Sequence, residues 1–380
     1  MGVFVSKREV FKYEQIEGFI LRKYTRKEVS LLLDVSERTI TRMAGRVRNK
    51  GLLGIKHGNT SKRPKNKQSE LLESHVKSMI EKHYFDRNIT HIQETLRDGH
   101  GINLSYSTLR RWCHEINVVK KRRRSKKEND RKKRPRMASE GYLLQMDGSP
   151  HCYVPGEEWV LIAAIDDATS KIAAAEFYES ETTLNCMDIL EQVIKVYGVP
   201  WGVYVDRAGW LGGSKRANFG DFREACDILG IELIFANSPQ AKGRIERWFQ
   251  VPQDRLVAEL RTLGITDMEK ANEYLKNEFI GEYWNKTKTI KAKSSEVKYR
   301  PAPDKNVLRE ALCQRAHRKI NYDNTFKWKT NYYQILNPPG NITNQRVELR
   351  FYKDGESAVF FANRKLDVKL FEETIRKKAN

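Results

Sequence analysis

A block of seventeen residues, 120–136, constrains the fold of this chain more than any other feature. Twelve of its positions are lysine or arginine and only two are acidic. Charge of one sign at this density cannot be buried in a core, so the block predicts folding units on either side of it. At 380 residues the chain is also too long for one ordinary core. We expect the block to be extended, or helical only when bound, and to lie along the phosphates of a polyanion.

Overall composition points to the same kind of partner, since the net charge of +21 and the pI near 9.6 predict binding to nucleic acid. Membrane insertion is not expected, because the longest useful apolar run has seven residues and a bilayer needs roughly 20. The N-terminus fits a permissive myristoylation pattern, the basic block also fits a nuclear localisation signal, and no signal peptide is expected. Five scattered cysteines without a C-x-x-C pair predict a reduced, cytoplasmic protein.

Changes in composition along the chain predict several modules. They are a helical module at 1–57, a linker at 58–67, a second helical module at 68–119, a basic linker at 120–138, an α/β core at 139–265, a helical or irregular connector at 266–317 and a small β-barrel at 318–376.

The first module has the pattern of a helix-turn-helix. Thr25 and Glu28 form a capping box for one helix, and Ser36 caps a second helix that is rich in arginine. In such units the start of the second helix reaches base edges in the major groove of DNA. The candidate contacts there are Arg38, Thr39 and Arg42. A small helical domain with a solvated basic face is the alternative.

The second module has two amphipathic helices followed by a third that Ser105 caps. Arg110 and Arg111 of this third helix are candidate DNA contacts, whereas Trp112 fits a core. Together the modules predict tandem helix-turn-helix units. Because many regulators contain one such unit, these modules alone do not indicate an enzyme.

Three acidic residues of the α/β core stand where a metal-dependent phosphodiester-cutting site would require them. Asp147 and Asp206 each follow a short apolar run rich in strand-forming residues, so both should project from the ends of neighbouring strands. Glu246 lies in a predicted helix whose apolar spacing leaves its carboxylate free to face those ends. Such carboxylates can hold two Mg²⁺ ions about 4 Å apart and clamp the attacking and leaving oxygens of a phosphodiester.

Motifs around these acids resemble a known family. They are DGSPH at Asp147, IDDATSK in the following hairpin and SPQAKGRIER at Glu246. The chain resembles the DDE transposases and integrases with a ribonuclease-H-like core, most closely an unclassified group of bacterial insertion-sequence enzymes. The likeness is strong over residues 139–262 and covers the flanks only in general organisation. Thirty-nine residues separate Asp206 from Glu246, which is more than the family usually has.

The resemblance implies a multidomain protein whose core is α/β with a mixed sheet. It implies a DDE transposase that cleaves DNA at the terminal inverted repeats of an insertion sequence and transfers the strand into target DNA. Asp147, Asp206 and Glu246 would be both catalytic and metal-binding, with two Mg²⁺ ions per site, Mn²⁺ able to substitute, and no covalent enzyme intermediate. Since two DNA ends are joined, the implied partners are double-stranded DNA and at least one further copy of the chain. The implied location is the bacterial cytoplasm, in association with the nucleoid.

Further residues are candidates for holding DNA or metal. Those near Glu246 that could hold the DNA end are Gln240, Lys242, Arg244 and Arg247, with a solvated helix face as the alternative. Those of the basic block that should contact phosphates are Lys121, Arg122, Arg123 and Arg124. Asp166 and Asp167 compete as metal ligands but better fit a hairpin turn. Asp221 or Asp227 would replace Asp206 if that residue does not serve.

No zinc is expected, because the histidines and Cys113 lack the spacing of the N-terminal zinc cluster of retroviral integrases. At the other end of the chain, Asp354-Gly355 is a strong hairpin signal within the predicted barrel. Trp328, Tyr332 and Tyr333 there would contact DNA or pack in a core.

The residues leave two other functions open. One is a catalytically silent DNA-binding regulator derived from a transposase, and the other is a ribonuclease-H-like nuclease without strand transfer. Three acids in recognisable motifs weigh against the first, and tandem DNA-binding modules weigh against the second.

Overall fold

The structure of the chain, a computed structural model, describes residues 6–56, 67–118, 134–205, 220–235 and 243–371. The chain divides into two compact units, Met1–His75 and Val76–Asn380. The second helical module therefore falls almost entirely within the same unit as the α/β core. None of the described helices is long and apolar enough to cross a membrane.

The N-terminal unit is built from α1 (Lys7–Ile20), α2 (Arg26–Leu33) and α3 (Glu37–Lys50), followed by a 3-10 turn (Gly51–Ile55). The predicted caps are present: Thr25 and Glu28 bond reciprocally at the start of α2, and Ser36 Oγ accepts from the backbone N–H of Thr39. Asp34 ends α2 in the left-handed conformation, with φ of 49°, and so turns the chain into α3. Helix α1 was not predicted from the sequence. The buried core of this unit is Ile16, Val29, Ile40, Met43, Ala44, Val47 and Ile55.

The predicted helices of the second module are present as α4 (Glu70–His83), α5 (Ile89–His100) and α6 (Tyr106–Glu115). Asn88 caps α5 and Ser105 caps α6 through side-chain oxygens that accept from the backbone. Trp112 is fully buried, as expected.

The core of the second unit is a mixed sheet with helices on both sides. Its described elements are β1 (Leu143–Val154), β2 (Glu157–Asp166), β3 (Ile172–Tyr178), α7 (Thr183–Tyr197), β4 (Gly202–Val205), α8 (Gly220–Ile228), β5 (Glu232–Phe235), α9 (Gly243–Val251) and α10 (Val257–Leu263). The strand order is β3-β2-β1-β4-β5, with β1, β2 and β3 antiparallel and β1, β4 and β5 parallel. This confirms the predicted α/β core with a mixed sheet.

Strand β2 shows why both faces of the sheet are covered. Alternate side chains of a strand point to opposite faces. Ile162 packs with α7 and α8 on one side, and Ala163 packs with α9 on the other. A strand buried on both faces is apolar without alternation, which is the pattern of WVLIAAI.

A π-helical turn (Pro252–Leu256) separates α9 from α10, because Pro252 has no N–H to continue the regular ladder. The connector then contains α11 (Met268–Tyr274), a second π-helical stretch (Leu275–Trp284), α12 (Asn285–Thr287) and, after a loop, α13 (Lys305–Ala311).

The C-terminal strands are β6 (Gln314–Lys319), β7 (Thr325–Trp328), β8 (Asn331–Ile335), β9 (Arg346–Phe351), β10 (Ser357–Phe361), β11 (Arg364–Leu366) and β12 (Val368–Phe371). They form one sheet of order β11-β10-β9-β6 and another of order β12-β8-β7. The predicted hairpin is present, with Gly355 at φ of 81° between β9 and β10. Neither sheet closes on itself in the described part of the chain, so the predicted small barrel is not confirmed. Trp328 stacks on Phe351 and Tyr333 on Phe326.

The second helical module packs on the helices that follow the sheet through a network of partly buried ion pairs centred on Arg255. The Arg255 guanidinium donates to Glu259 Oε1 at 2.8 Å and pairs with Glu94 of α5. His91, also on α5, places Nε2 at 3.1 Å from Glu259 Oε1. Further polar contacts between the same segments join Arg261 to Asp86, Arg87 to Thr262 and Asn88 to Asp254. Charged and polar contacts thus join the second helical module to the segment that follows the sheet.

Candidate active site

Asp147 lies within β1 rather than at its end, which corrects the expectation from sequence. It pairs with Ala163 of β2, and the strand continues to Val154 because Tyr153 and Val154 are buried in the core between the sheet and α9. The Asp147 side chain is half-buried. Among the described residues, pairing of β1 with β4 ends at Gln145.

The second predicted acid, Asp206, lies outside the described residues, as do Gln240, Lys242 and residues 121–124. The strand that leads to Asp206 is described. In it, Tyr204 pairs in parallel with Gln145. Each of these paired residues precedes a predicted catalytic aspartate by two positions.

Glu246 lies in the first turn of α9, on the exposed side of that helix. The opposite side is buried, with Ile245, Trp248 and Phe249 in the core between the sheet and α9. The backbone N–H of Ile245 donates to Oε1 of the fully buried Gln145 at 3.3 Å. The start of the Glu246 helix is thereby bonded to the strand that carries Asp147.

The carboxylate of Glu181, which was missed from the sequence, lies against Gly148 of β1, on the side of the sheet opposite to the Asp147 side chain. A Cβ added at Gly148 would come within 2.6 Å of the Glu181 carboxyl carbon, so this carboxylate occupies the space that the glycine leaves. Glu181 belongs to the polar stretch before α7, where nothing in the sequence distinguishes it from a solvated loop residue. No group of three His, Cys, Asp or Glu side chains that could hold a metal occurs within the described ranges, from which Asp206 is absent.

Asp166 and Asp167 are both buried and have separate roles. Asp166 Oδ1 accepts from the backbone N–H and hydroxyl of Thr169 at 2.8 and 2.7 Å, and Oδ2 accepts from Gly141 N at 2.9 Å. Burial raises the pKa of this carboxyl. Asp166 thus builds the hairpin turn that the sequence favoured. Asp167 instead bonds Gln145 and Arg244, at 2.7 Å each, together with Arg134.

The remaining candidates divide by exposure. Arg247 is exposed, whereas Arg244 is turned inward to Asp167, and burial lowers the pKa of its guanidinium. Those exposed on the helical modules are Arg38, Arg42, Arg110 and Arg111, while Thr39 is half-buried and bonded to Ser36. Asp221 and Asp227 lie on α8, which packs on the face of the sheet opposite α9. Contact of the arginine and Thr39 side chains with DNA stays a prediction.

No family model matches the chain. It is 29% identical over 391 residues to a protein of Sinorhizobium fredii named as the transposase y4bF, with 98% of this chain and 83% of that protein covered. It is 31% identical over 350 residues to the transposase for insertion sequence IS1202 of Streptococcus pneumoniae, with 81% of this chain and 74% of that protein covered. The chain belongs to the insertion-sequence transposases. The resemblance drawn from the motifs is confirmed at this level.

Solved structures similar to this transposase include the HTLV-2 integrase catalytic core domain in complex with magnesium. The two share 16% identity at a TM-score of 0.30, over 37% of this chain and 88% of that one. Another similar chain comes from a simian T-cell lymphotropic virus intasome in complex with the PP2A regulatory subunit B56 gamma. The two share 13% identity at a TM-score of 0.33, and the match covers 78% of this chain and 95% of that one. These likenesses are low, and the family assignment comes from the sequence relatives.

Proposed function

We propose that this transposase cleaves DNA at the ends of its element and joins the freed 3′ ends to target DNA, using Asp147, Asp206 and Glu246 as one site. The pairing of Gln145 with Tyr204 carries this proposal, because both aspartates follow that pair at the same distance on parallel strands. The bond from Ile245 to Gln145 supports the third member, since it holds the Glu246 helix against the same strand.

The donors proposed for the site fit Mg²⁺, with Mn²⁺ as a substitute. Carboxylate oxygens are the ligands that these hard cations prefer, and Asp147 is half-buried while Glu246 is exposed. When bound, the two ions would supply charge stabilisation and activation of the attacking oxygen in both cleavage and strand transfer. The chain itself contributes a rigid strand for Asp147 and an anchored helix for Glu246, so the carboxylates do not need to be reorganised during the reaction.

A direct assay tests the proposal. Purified transposase is incubated with a duplex that carries the inverted repeat flanking the gene, with supercoiled target DNA and with Mg²⁺. We expect nicking at the repeat end followed by joined products. Nicking without joined products would favour the nuclease alternative, and binding without either would favour the silent regulator. Because two ends are joined, we propose a dimer or larger assembly on DNA, which sedimentation with and without the duplex can measure.

Helix α3 is proposed to recognise the terminal repeat. We expect Arg38→Ala and Arg42→Ala each to weaken binding to the repeat by about tenfold or more, since one good base contact contributes about 1–3 kcal/mol. Affinity for random duplex should change far less. Arg48→Ala in the last turn of α3 is the matched control, because that exposed residue lies away from the start of the helix. Equal losses on both duplexes would assign Arg38 and Arg42 to phosphates instead.

The basic block is proposed to add affinity without sequence preference. Each phosphate contact contributes roughly 0.9 to the slope of log affinity against log salt concentration. Neutralising Lys121, Arg122, Arg123 and Arg124 together should therefore lower the magnitude of that slope by about 2–4. Discrimination between the repeat and random DNA should hardly change, because phosphates carry no sequence information. A salt titration with both duplexes measures this, and an unchanged slope would make the block a solvated tether.

A further inference from the structure

Asp167 is a fully buried carboxylate that the proposed chemistry does not use. Its side chain is 0% exposed, yet it bonds two guanidinium groups, those of Arg134 and Arg244. Oδ1 also accepts from Gln145 Nε2 at 2.7 Å, and Oδ2 accepts from the backbone N–H of Met137 at 2.8 Å. A buried charge with this many donors is expensive to desolvate, so its partners must hold fixed positions for it to be stable.

The partners of Asp167 come from the segments that make up the proposed site. Gln145 precedes Asp147 by two positions on β1, and Arg244 precedes Glu246 by two positions on α9. Gln145 completes a ring of bonds, since its other amide atom, Oε1, accepts from the residue after Arg244. Strand and helix are therefore joined twice, once through the Gln145 amide and once through the Asp167 carboxylate.

The third partner brings in the basic block. Arg134, near the end of that block, pairs with Asp167, and its backbone carbonyl accepts from Arg244 Nη2 at 3.0 Å. Its guanidinium carbon also lies 5.6 Å from the centre of the Tyr204 ring on β4. The block thus ends against the two strands and the helix that lead to the three proposed catalytic acids.

We propose that Asp167 is a positioning residue, which sets the separation between Asp147 and Glu246 and couples it to the end of the basic block. The inference rests on the proposed function of these two acids. The neighbouring Asp166 already provides the bonds that build the hairpin turn. Asp167 is therefore not needed for the turn, and its charge serves the contacts between β1, α9 and Arg134. Without that charge the two guanidinium groups would face each other unpaired.

The test compares Asp167→Asn with Asp166→Asn in the full-length transposase. Three quantities are measured: the melting temperature, the Mg²⁺ concentration at half of the Mg²⁺-induced rise in melting temperature, and the single-turnover cleavage rate. We expect Asp167→Asn to raise the Mg²⁺ midpoint and to slow cleavage, each by about 10–100-fold, the range typical of residues that orient metal ligands. Asp166→Asn should lower the melting temperature but leave the Mg²⁺ midpoint at the wild-type value.

Arg244→Gln and Arg244→Lys keep the test valid if Asp167→Asn does not fold, because the Arg244 side chain is 18% exposed and tolerates change better. Arg244→Gln should shift the Mg²⁺ midpoint in the same direction, and Arg244→Lys should restore part of it. A wild-type midpoint in both Asp167→Asn and Arg244→Gln overturns the inference. So does weakened DNA binding by Arg244→Gln at a wild-type midpoint, which would assign Arg244 to DNA. If the wild-type transposase shows neither a Mg²⁺ response nor cleavage, the proposed function itself fails.

Discussion

Asp147→Asn and Glu246→Gln should each slow Mg²⁺-dependent cleavage and strand transfer by at least about a thousandfold, which corresponds to about 4 kcal/mol of transition-state stabilisation. An amide keeps the shape of the carboxylate but loses the negative charge needed to hold the ions. Binding to the terminal repeat should persist, because the candidate recognition residues lie on α3 and α6, away from both acids in sequence. Single-turnover cleavage and a binding titration on the same preparations measure the two effects.

Folding of these variants should stay intact. Asp147→Asn removes one of the negative charges that are proposed to share the site, so the melting temperature without metal should stay level or rise. The matched control is Asp227→Asn, which neutralises an exposed carboxylate on the other face of the sheet and should leave cleavage unchanged. Asp206→Asn should behave like the other two. Substantial cleavage by Asp206→Asn, with loss in Asp227→Asn or Asp221→Asn, would move the second ligand to α8.

Local signals in the sequence predicted much of the fold correctly. The caps at Thr25, Ser36 and Ser105 depend on side chains that bond within three residues, so they can be recognised without tertiary information. The continuous apolar run from Trp159 predicted a strand, and the structure shows it buried on both faces. Family motifs then gave the mixed sheet and the candidate acids.

What the sequence did not reveal depends on long-range pairing. The apolar run before Asp147 predicted that the strand ends there, but β1 continues to Val154 through its pairing with β2. The C-terminal strands were expected to close into a barrel, yet closure depends on which distant strands pair. Likewise, Glu181 and Asp167 gain their significance only from partners that the fold brings to them.

The charged residues of α5 are a further example, and they lead to a large expected effect on stability. Glu94 and its neighbours have the pattern of a solvated face, but the structure pairs Glu94 with Arg255, whose side chain is 13% exposed. Arg255 also bonds Glu259, four residues further on and 12% exposed. Removing Glu259 would leave Arg255 with Glu94 but without its second carboxylate, and would take away the acceptor that faces Nε2 of the buried His91, which together is strongly destabilising.

We therefore expect Glu259→Ala to lower the free energy of unfolding of the second unit by about 3–5 kcal/mol. The control is Glu282→Ala, which breaks an ion pair with Lys286 of the same four-residue spacing. Those side chains are 60% and 63% exposed, so the loss there should be within about 0.5 kcal/mol. Urea unfolding followed by tryptophan fluorescence compares the two variants. Equal losses would mean that burial adds nothing to the Arg255–Glu259 pair.

The same network should make stability depend on pH through His91. Burial lowers the pKa of His91 below its usual 6.5. Its Nε2 faces Glu259, whereas its buried Nδ1 has no bonding partner within the described residues, so a proton there would be unsatisfied. Burial alone would raise the pKa of Glu259, but the His91 hydrogen bond and the Arg255 charge lower it below 4.5. Both groups thus bind protons more readily in the unfolded chain.

A group whose pKa is lowered by folding stabilises the folded state above the pKa it has in the unfolded chain, and this stabilisation is lost as the pH falls. The stabilisation from His91 should therefore decline below pH 6.5, and that from Glu259 below pH 4.5. The free energy of unfolding should therefore fall between about pH 7.5 and pH 5. His91→Gln keeps a donor of similar length but cannot titrate, so its profile should be flatter over that interval. If the free energy of unfolding of His91→Gln depended on pH as steeply as that of the wild type, other groups would be responsible for the pH dependence. The neutral histidine would then have no energetic role in holding α5 to Glu259.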